Sequence, residues 1–177
     1  MEFTGRKSQK SKEIWFRECS EIVNQLVNVP SISTWVMFNE GWGQFDSEKC
    51  LKHLRSCDDT RLVDAGSGWF HEGCGDIYSE HVYFTELNVK HTKFPYVISE
   101  YGGYSMKIAG HAYKESVYGY KVYNSLELLQ KEYDREQAII EALIPQGLCA
   151  TVFTQLSDVE DEQNGIVTYD RKVQKIF

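Results

Sequence analysis

The stretch TWVMFNEGWGQFD, residues 34–46, decides how the chain is interpreted. Its first five residues are apolar or β-branched, which is typical of a strand buried on both faces. Asn39 and Glu40 follow directly, and a tryptophan between two glycines comes next. A carboxylate that ends a buried strand lies at the rim of the core. In α/β proteins that rim is where active sites form.

A second stretch, FPYVISEYGG at residues 94–103, repeats the arrangement with Glu100 after a β-prone run. In a parallel sheet both strand ends lie at the same edge, so Glu40 and Glu100 are expected on one face. Hydrolysis of a glycosidic bond requires two carboxyl groups, one protonating the leaving oxygen and the other attacking the anomeric carbon or activating water. A tyrosine hydroxyl would keep the nucleophile ionised, and Tyr83 and Tyr101 are candidates. Taken alone, each glutamate is equally compatible with an ordinary strand-end carboxylate.

Helical periodicity predicts helices over residues 11–28 and 125–143, with a third starting after a capping Asp46. The inner positions expected for these helices are Trp15, Cys19, Ile22, Val23, Leu26, Cys50, Leu51, Leu54, Leu126, Leu129, Tyr133, Ile140 and Leu143. Strands are predicted over residues 34–40, 61–69, 76–84, 94–103 and 148–155. This alternation favours an α/β fold with a parallel sheet and outer helices. Five strands are too few for a complete eight-stranded barrel, and spacing alone is equally compatible with an open sheet.

Four segments, taken in order, resemble glycoside hydrolase family 2, the family of β-galactosidases, β-glucuronidases and β-mannosidases. Residues 34–46 resemble its acid/base motif, and residues 94–103 resemble its nucleophile strand. Between them, CDDTRLVDAGSGW at residues 57–69 matches the turn that enters the next strand. VFTQLSDVEDEQNGIVTYDRKV at residues 152–173 resembles the end of the barrel. The resemblance implies that residues 1–177 are one domain, the C-terminal part of a (β/α)8 TIM barrel, about strands four to eight.

The resemblance also implies roles for individual residues. Glu40 would be the acid/base, and Asn39 would hydrogen-bond the sugar 2-hydroxyl. Glu100 would form the covalent glycosyl-enzyme, while His81 and Tyr83 would line the sugar subsite and touch the nucleophile. The implied activity is hydrolysis of β-linked sugars with retention, by double displacement.

Other positions have looser matches to the family. Trp69 and Gln155 are expected to line the mouth of the site. The loop after Gln155 lacks the Asn-x-Lys motif of β-glucuronidases, which argues against a uronic acid and favours a β-galactosidase-like enzyme. The alternative is a catalytically inactive carbohydrate-binding fragment that needs the missing half of the barrel.

The composition narrows the partners of the chain. Hydrophobic residues make up 42% and charged residues 25%, with a net charge of -7 and no long basic run. This charge pattern argues against nucleic acid or a membrane as a partner, and the resemblance implies a carbohydrate substrate. The resemblance adds a possible homo-oligomer or association with N-terminal domains. Five scattered cysteines and the absence of a signal peptide favour a reducing, cytoplasmic setting.

Sites for other chemistry match poorly. No cofactor is implied and no metal is expected, since the sets His71, Cys74, His81 and Cys50, His53, Cys57 lack the paired spacing of structural zinc. No Gly-x-Ser-x-Gly elbow and no phosphate-binding glycine loop occurs.

Overall fold

The computed structural model describes residues 5–177, which form two compact units. The first unit comprises residues 5–80 and 92–97, and the second comprises residues 81–91 and 98–177. The helices are α1 (Gln9–Leu26), α2 (Ser47–Cys57) and α3 (Leu126–Leu143). The strands are β1 (Thr34–Val36), β2 (Leu62–Asp64), β3 (Tyr78–Val82), β4 (Tyr96–Gly102), β5 (Tyr104–Ser105), β6 (Lys121–Val122) and β7 (Leu148–Thr154).

The first unit is built on the parallel pair β1–β2, in which Trp35 lies opposite Val63. Trp35, Val63 and the inner face of α2 belong to one buried cluster, against which aromatic residues of α1 pack. Trp15 of α1 stacks on Phe38 with 5.2 Å between ring centres. A parallel pair covered by helices is the arrangement that the sequence predicted.

The helices of the first unit differ from expectation at two points. Ile22, an expected inner position of α1, is 52% exposed, whereas its neighbour Val23 is 2% exposed. Asp46 precedes α2 as expected, but the prediction that its side chain caps the helix is wrong. Asp46 has a left-handed backbone with φ 39° and its side chain makes no capping hydrogen bond. Its carboxylate instead accepts a hydrogen bond from Lys12 Nζ at 3.1 Å, which joins the start of α2 to α1.

A three-stranded sheet with the order β3–β4–β7 places β4 in the centre. The strand ends at Gly102 and Gly103, both with positive φ, as the abrupt end of the apolar run predicted. A Cβ at Gly102 would lie 2.6 Å from Phe153 of β7, so only glycine fits this turn. The short parallel pair β5–β6 follows and was not predicted.

The long helix α3 begins at the Ser125 cap, whose side chain accepts a hydrogen bond from the Leu128 amide. Leu129, Ile140 and Leu143 are buried as predicted, whereas Leu126 in the first turn is 38% exposed. Residues Ile144–Gln146 form a 3-10 turn, and Gly147 with φ 109° leads into β7. Over residues 5–177, no helix combines the length and the apolar character that crossing a bilayer requires.

Candidate active site

Glu40 lies at the end of the parallel pairing between β1 and β2. The pairing continues past the regular strands through an Asn39–Ser67 bridge, and the Glu40 amide donates to the Ser67 carbonyl at 2.7 Å. Glu40 itself adopts a left-handed backbone with φ 54°. This conformation is uncommon outside glycine and costs of order 1 kcal/mol or more, and it tends to persist at functional sites. The strand ladder therefore fixes the point at which the Glu40 side chain leaves the sheet.

The glycine after Glu40 is required by close packing. Gly41 has φ 77°, and a Cβ at this position would overlap the ring of Phe70. The turn closes with a hydrogen bond of 2.9 Å from the Trp42 amide to the Asn39 carbonyl. Sequence reasoning did not include Trp42 among the site residues, although its ring is 64% exposed one turn beyond Glu40.

Two of the expected binding residues lie beside this turn in the first unit. Asn39 is exposed, and Trp69, which follows β2, is 53% exposed. Each is thus open to a ligand and neither is a core residue.

Glu100 of β4 lies in a polar cluster within the second unit. The Tyr83 hydroxyl donates to Glu100 Oε2 at 2.6 Å, and the buried His81 places Nδ1 3.3 Å from the same oxygen. Tyr83 Oη also lies 3.0 Å from Thr154 Oγ1. Because a phenol has one proton and gives it to Glu100, the Thr154 hydroxyl donates to Tyr83. Thr154, at the end of β7, is a member of the cluster that sequence reasoning missed.

The protonation state of Tyr83 follows from its surroundings. Burial raises the pKa of Tyr83 well above its usual range, and the hydrogen bond to the Glu100 carboxylate raises it further. Tyr83 therefore remains a neutral donor at ordinary pH. A short hydrogen bond from a neutral phenol to a carboxylate is the arrangement that holds an ionised nucleophile in place.

The other candidate donor, Tyr101, faces a different part of the unit. Adjacent residues of a strand point to opposite faces, so Tyr101 cannot share the direction of Glu100. Its hydroxyl accepts a hydrogen bond from Gln137 Nε2 at 2.7 Å, and its ring packs edge-on against Phe153 at 5.4 Å. Of the two tyrosines, Tyr83 is the one that contacts the expected nucleophile.

Gln155 follows Thr154 and directly precedes the acidic loop of residues 156–165. Its amide nitrogen donates to Glu162 Oε2 at 3.1 Å and to Asn164 Oδ1 at 2.7 Å. These two bonds use both N–H groups, which leaves the side-chain oxygen as the part that could contact a sugar.

Two of the residues considered for a metal site, His53 and Cys50, form hydrogen bonds within the first unit. His53 Nε2 lies 2.9 Å from the Ser20 hydroxyl and 2.9 Å from the Phe16 carbonyl. Burial raises the pKa of Cys50 to about 12, with a smaller contribution from Asp46. Since metals bind the thiolate, this environment suits a buried neutral thiol.

The fold and the site together define a class. Carboxylates at the ends of strands in a helix-covered α/β sheet are characteristic of enzymes built on (β/α)8 barrels, and the chain is part of such a barrel. The family model for "Glycosyl hydrolases family 2, TIM barrel domain" matches residues 5–175. The chain therefore belongs to glycosyl hydrolase family 2, as its motifs predicted.

Solved structures show the same fold at low sequence identity. A β-glucuronidase of Bacteroides uniformis, bound covalently to cyclophellitol-6-carboxylate aziridine, is 18% identical with a TM-score of 0.67. The β-D-glucuronidase of Dictyoglomus thermophilum is 14% identical with a TM-score of 0.69. The alignments cover 94% of this chain in both cases, but 25% and 34% of those proteins. A search of curated proteins found no match.

The chain thus spans about a quarter to a third of the length of these enzymes. A third structure, the Bifidobacterium dentium β-glucuronidase with coumarin-3-O-glucuronide, is 16% identical with a TM-score of 0.65, covering 92% of this chain and 31% of that one. Sequence identities this low show that the fold is shared, but they do not show which sugar this chain would bind.

Proposed function

We propose that this chain carries the two catalytic carboxylates of a retaining β-glycosidase. Glu100 attacks the anomeric carbon to form a glycosyl-enzyme, and Glu40 protonates the leaving oxygen and then activates water. Asn39, His81, Tyr83, Trp69 and Gln155 bind the sugar. The observation that carries the proposal is the 2.6 Å hydrogen bond from Tyr83 to Glu100, because it holds the Glu100 carboxyl group in a fixed position near the C-terminal end of β4.

The sugar is proposed to be neutral and β-galactoside-like. A uronate carboxylate needs a cationic partner, and the loop beside Gln155 is acidic. Its nearby lysines are already paired, Lys175 with Asp158 at 2.7 Å and Lys114 with Asp161 at 3.7 Å. Nitrophenyl β-galactoside and nitrophenyl β-glucuronide compared side by side test this point. Faster release of nitrophenol from the glucuronide would contradict it.

The nucleophile is tested by trapping. A 2-deoxy-2-fluoro-β-galactosyl fluoride slows the second step more than the first, so the glycosyl-enzyme accumulates. Peptide mass spectrometry should find the added fluorosugar on Glu100. Glu100→Gln should abolish both labelling and hydrolysis, whereas Glu141→Gln, an exposed carboxylate on α3, should change neither. Label on another residue would refute the assignment.

The acid/base role of Glu40 is tested by rescue. Glu40→Ala should hydrolyse aryl glycosides with good leaving groups but stall at the glycosyl-enzyme. Azide, which needs no general base, should then restore turnover and yield a β-glycosyl azide. Formation of the α-azide would contradict retention.

The alternative function is carbohydrate binding without turnover. It is favoured by the chain spanning only 25% and 34% of two solved enzymes of this fold. The two functions predict different results in one experiment, in which sugar binding and nitrophenol release are measured on the same preparation. Binding without release by the wild-type chain, with release by a chain that includes the remaining barrel strands, would favour the alternative.

A further inference from the structure

Four aromatic side chains form a continuous surface in the second unit, which we call the aromatic platform: Tyr83, Phe84, Tyr118 and Tyr120. Tyr120 stacks on Tyr83 with 4.2 Å between ring centres and 28° between planes. Phe84 stands edge-on to Tyr120 at 4.9 Å, and Tyr118 lies 6.5 Å from Tyr120. The rings therefore form one connected group and are not scattered surface residues.

The platform is held on a fixed backbone. The Tyr120 amide donates to the Gly103 carbonyl at 3.1 Å, and the Tyr118 carbonyl accepts from Ser105 Oγ at 2.7 Å. The Tyr118 amide donates to the backbone carbonyl of Asp161, in the acidic loop, at 2.9 Å. The Tyr120 ring lies against Gly103, where any Cβ would overlap it. Rings held in this way lose little freedom when they bind a ligand.

Three of the four platform rings are exposed to solvent, although the backbone that carries them is held by hydrogen bonds. Phe84 is 76% exposed, Tyr118 is 54% exposed and Tyr120 is 39% exposed. Three large rings facing solvent together form an apolar patch, and such a patch commonly marks a binding site. The patch is also connected to the chemistry, because Tyr83 both supports Tyr120 and donates to Glu100.

We propose that the aromatic platform binds the leaving group of the substrate, a second pyranose ring linked to the sugar that reacts at Glu100. A pyranose presents an apolar C–H face that packs on an aromatic ring, and its hydroxyls remain at the edges in water. The four side chains of the platform carry no charge, which suits a neutral sugar. The inference rests on the proposed function, and it adds a subsite formed by Phe84, Tyr118 and Tyr120.

The test compares two ligands that differ only in the second ring. Methyl 1-thio-β-D-galactopyranoside has no second ring, whereas a thio-linked galactosyl-glucose has one, and both resist hydrolysis. Calorimetric titration of the whole chain gives the dissociation constant of each. For Phe84→Ala and Tyr118→Ala, the constant for the disaccharide should rise roughly two- to tenfold, and that for the methyl glycoside should stay unchanged.

Tyr169→Ala is the matched control. Tyr169 is 45% exposed in the same unit, and its ring pairs with Tyr113 at 5.1 Å. This variant should bind both ligands as the wild type does. Circular dichroism spectra matching the wild type would show that all three variants fold.

The outcomes separate this proposal from the proposed function. Equal weakening of both ligands, or no weakening, in the platform variants overturns the platform even if hydrolysis is normal. Failure of the wild-type chain to bind the disaccharide overturns it as well. Selective loss of the disaccharide supports it, including in a chain that binds the ligand but releases no nitrophenol, where the hydrolytic function alone has failed.

Discussion

Replacing Lys175 with methionine is expected to destabilise the second unit strongly. The Lys175 side chain is fully buried, and its ammonium group donates to Asp158 Oδ1 at 2.7 Å and to the carbonyls of Gln163 and Met106 at 2.9 and 3.1 Å. All three protons are thus used. Asp158 is 4% exposed and also accepts from the Gly165 amide at 2.8 Å.

The magnitude follows from what the variant leaves behind. Lys175→Met removes three charge-assisted hydrogen bonds and leaves the buried Asp158 carboxylate without its cation. Removing one partner of a buried ion pair costs about 3–5 kcal/mol. In a chain of this size, each kcal/mol lowers Tm by about 2–4 °C, so a fall of roughly 6–20 °C is expected.

Urea and thermal unfolding followed by circular dichroism measure this loss. Lys172→Met is the matched control, since the Lys172 side chain is 74% exposed and its Nζ lies 3.9 Å from Asp170. It should change the unfolding free energy by less than about 0.5 kcal/mol. Lys175→Met combined with Asp158→Asn removes the unpaired charge and keeps an acceptor for Gly165, so it should lose less than the single variant. A single variant within about 1 kcal/mol of wild type, or a double variant no better than the single, would refute the reasoning.

Three further outcomes are expected. Tyr83→Phe removes the charge-assisted donor to Glu100 and should lower kcat/KM on a nitrophenyl β-glycoside roughly tenfold to a hundredfold; unchanged kinetics would contradict its role. The His111 hydrogen bond lowers the pKa of Asp170 to about 2 from an ordinary value near 3.8. The ionised carboxylate therefore stabilises the fold at pH values above 3.8, and this contribution is lost as the pH falls towards 2. In unfolding measured over that interval, Asp170→Asn should show a shallower loss than wild type, and parallel curves would count against the pair. Gly102→Ala, at φ 102°, should lower the unfolding free energy by about 1–3 kcal/mol in urea titrations, and an unchanged midpoint would show that the turn relaxes.

Local sequence was sufficient where a single physical effect dominated. The apolar runs located the central strands, and the Gly102-Gly103 pair located the end of β4, because only glycine takes a positive φ without cost. The ordered motifs identified the family. These features depend on neighbours in the chain, so they can be read without coordinates.

The structure was needed where the environment of a residue depends on contacts with residues distant in the sequence. Periodicity gives the direction of a helix face but not its width, so Ile22 was expected inside and is 52% exposed beside the buried Val23. Asp46 was expected to cap α2, but its carboxylate pairs with Lys12, 34 positions earlier. Thr154 was missed because a threonine at a strand end carries no local signal of a hydrogen bond across 71 positions.

The cluster around Glu100 shows how the sheet order organises the chemistry. Because β4 lies between β3 and β7, side chains from both neighbours can meet above its end. Tyr83 reaches over from just past β3, and Thr154 stands at the end of β7, so a chain of donors runs from Thr154 to Tyr83 to Glu100. Each donor in such a chain polarises the next, which strengthens the terminal bond to the carboxylate. Burial raises the pKa of Tyr83, so its hydroxyl keeps the proton that it donates to Glu100. Residues at the ends of three adjacent strands thus fix the position of one carboxylate. Because Tyr83 also stacks on Tyr120, it connects this cluster to the rest of the aromatic platform.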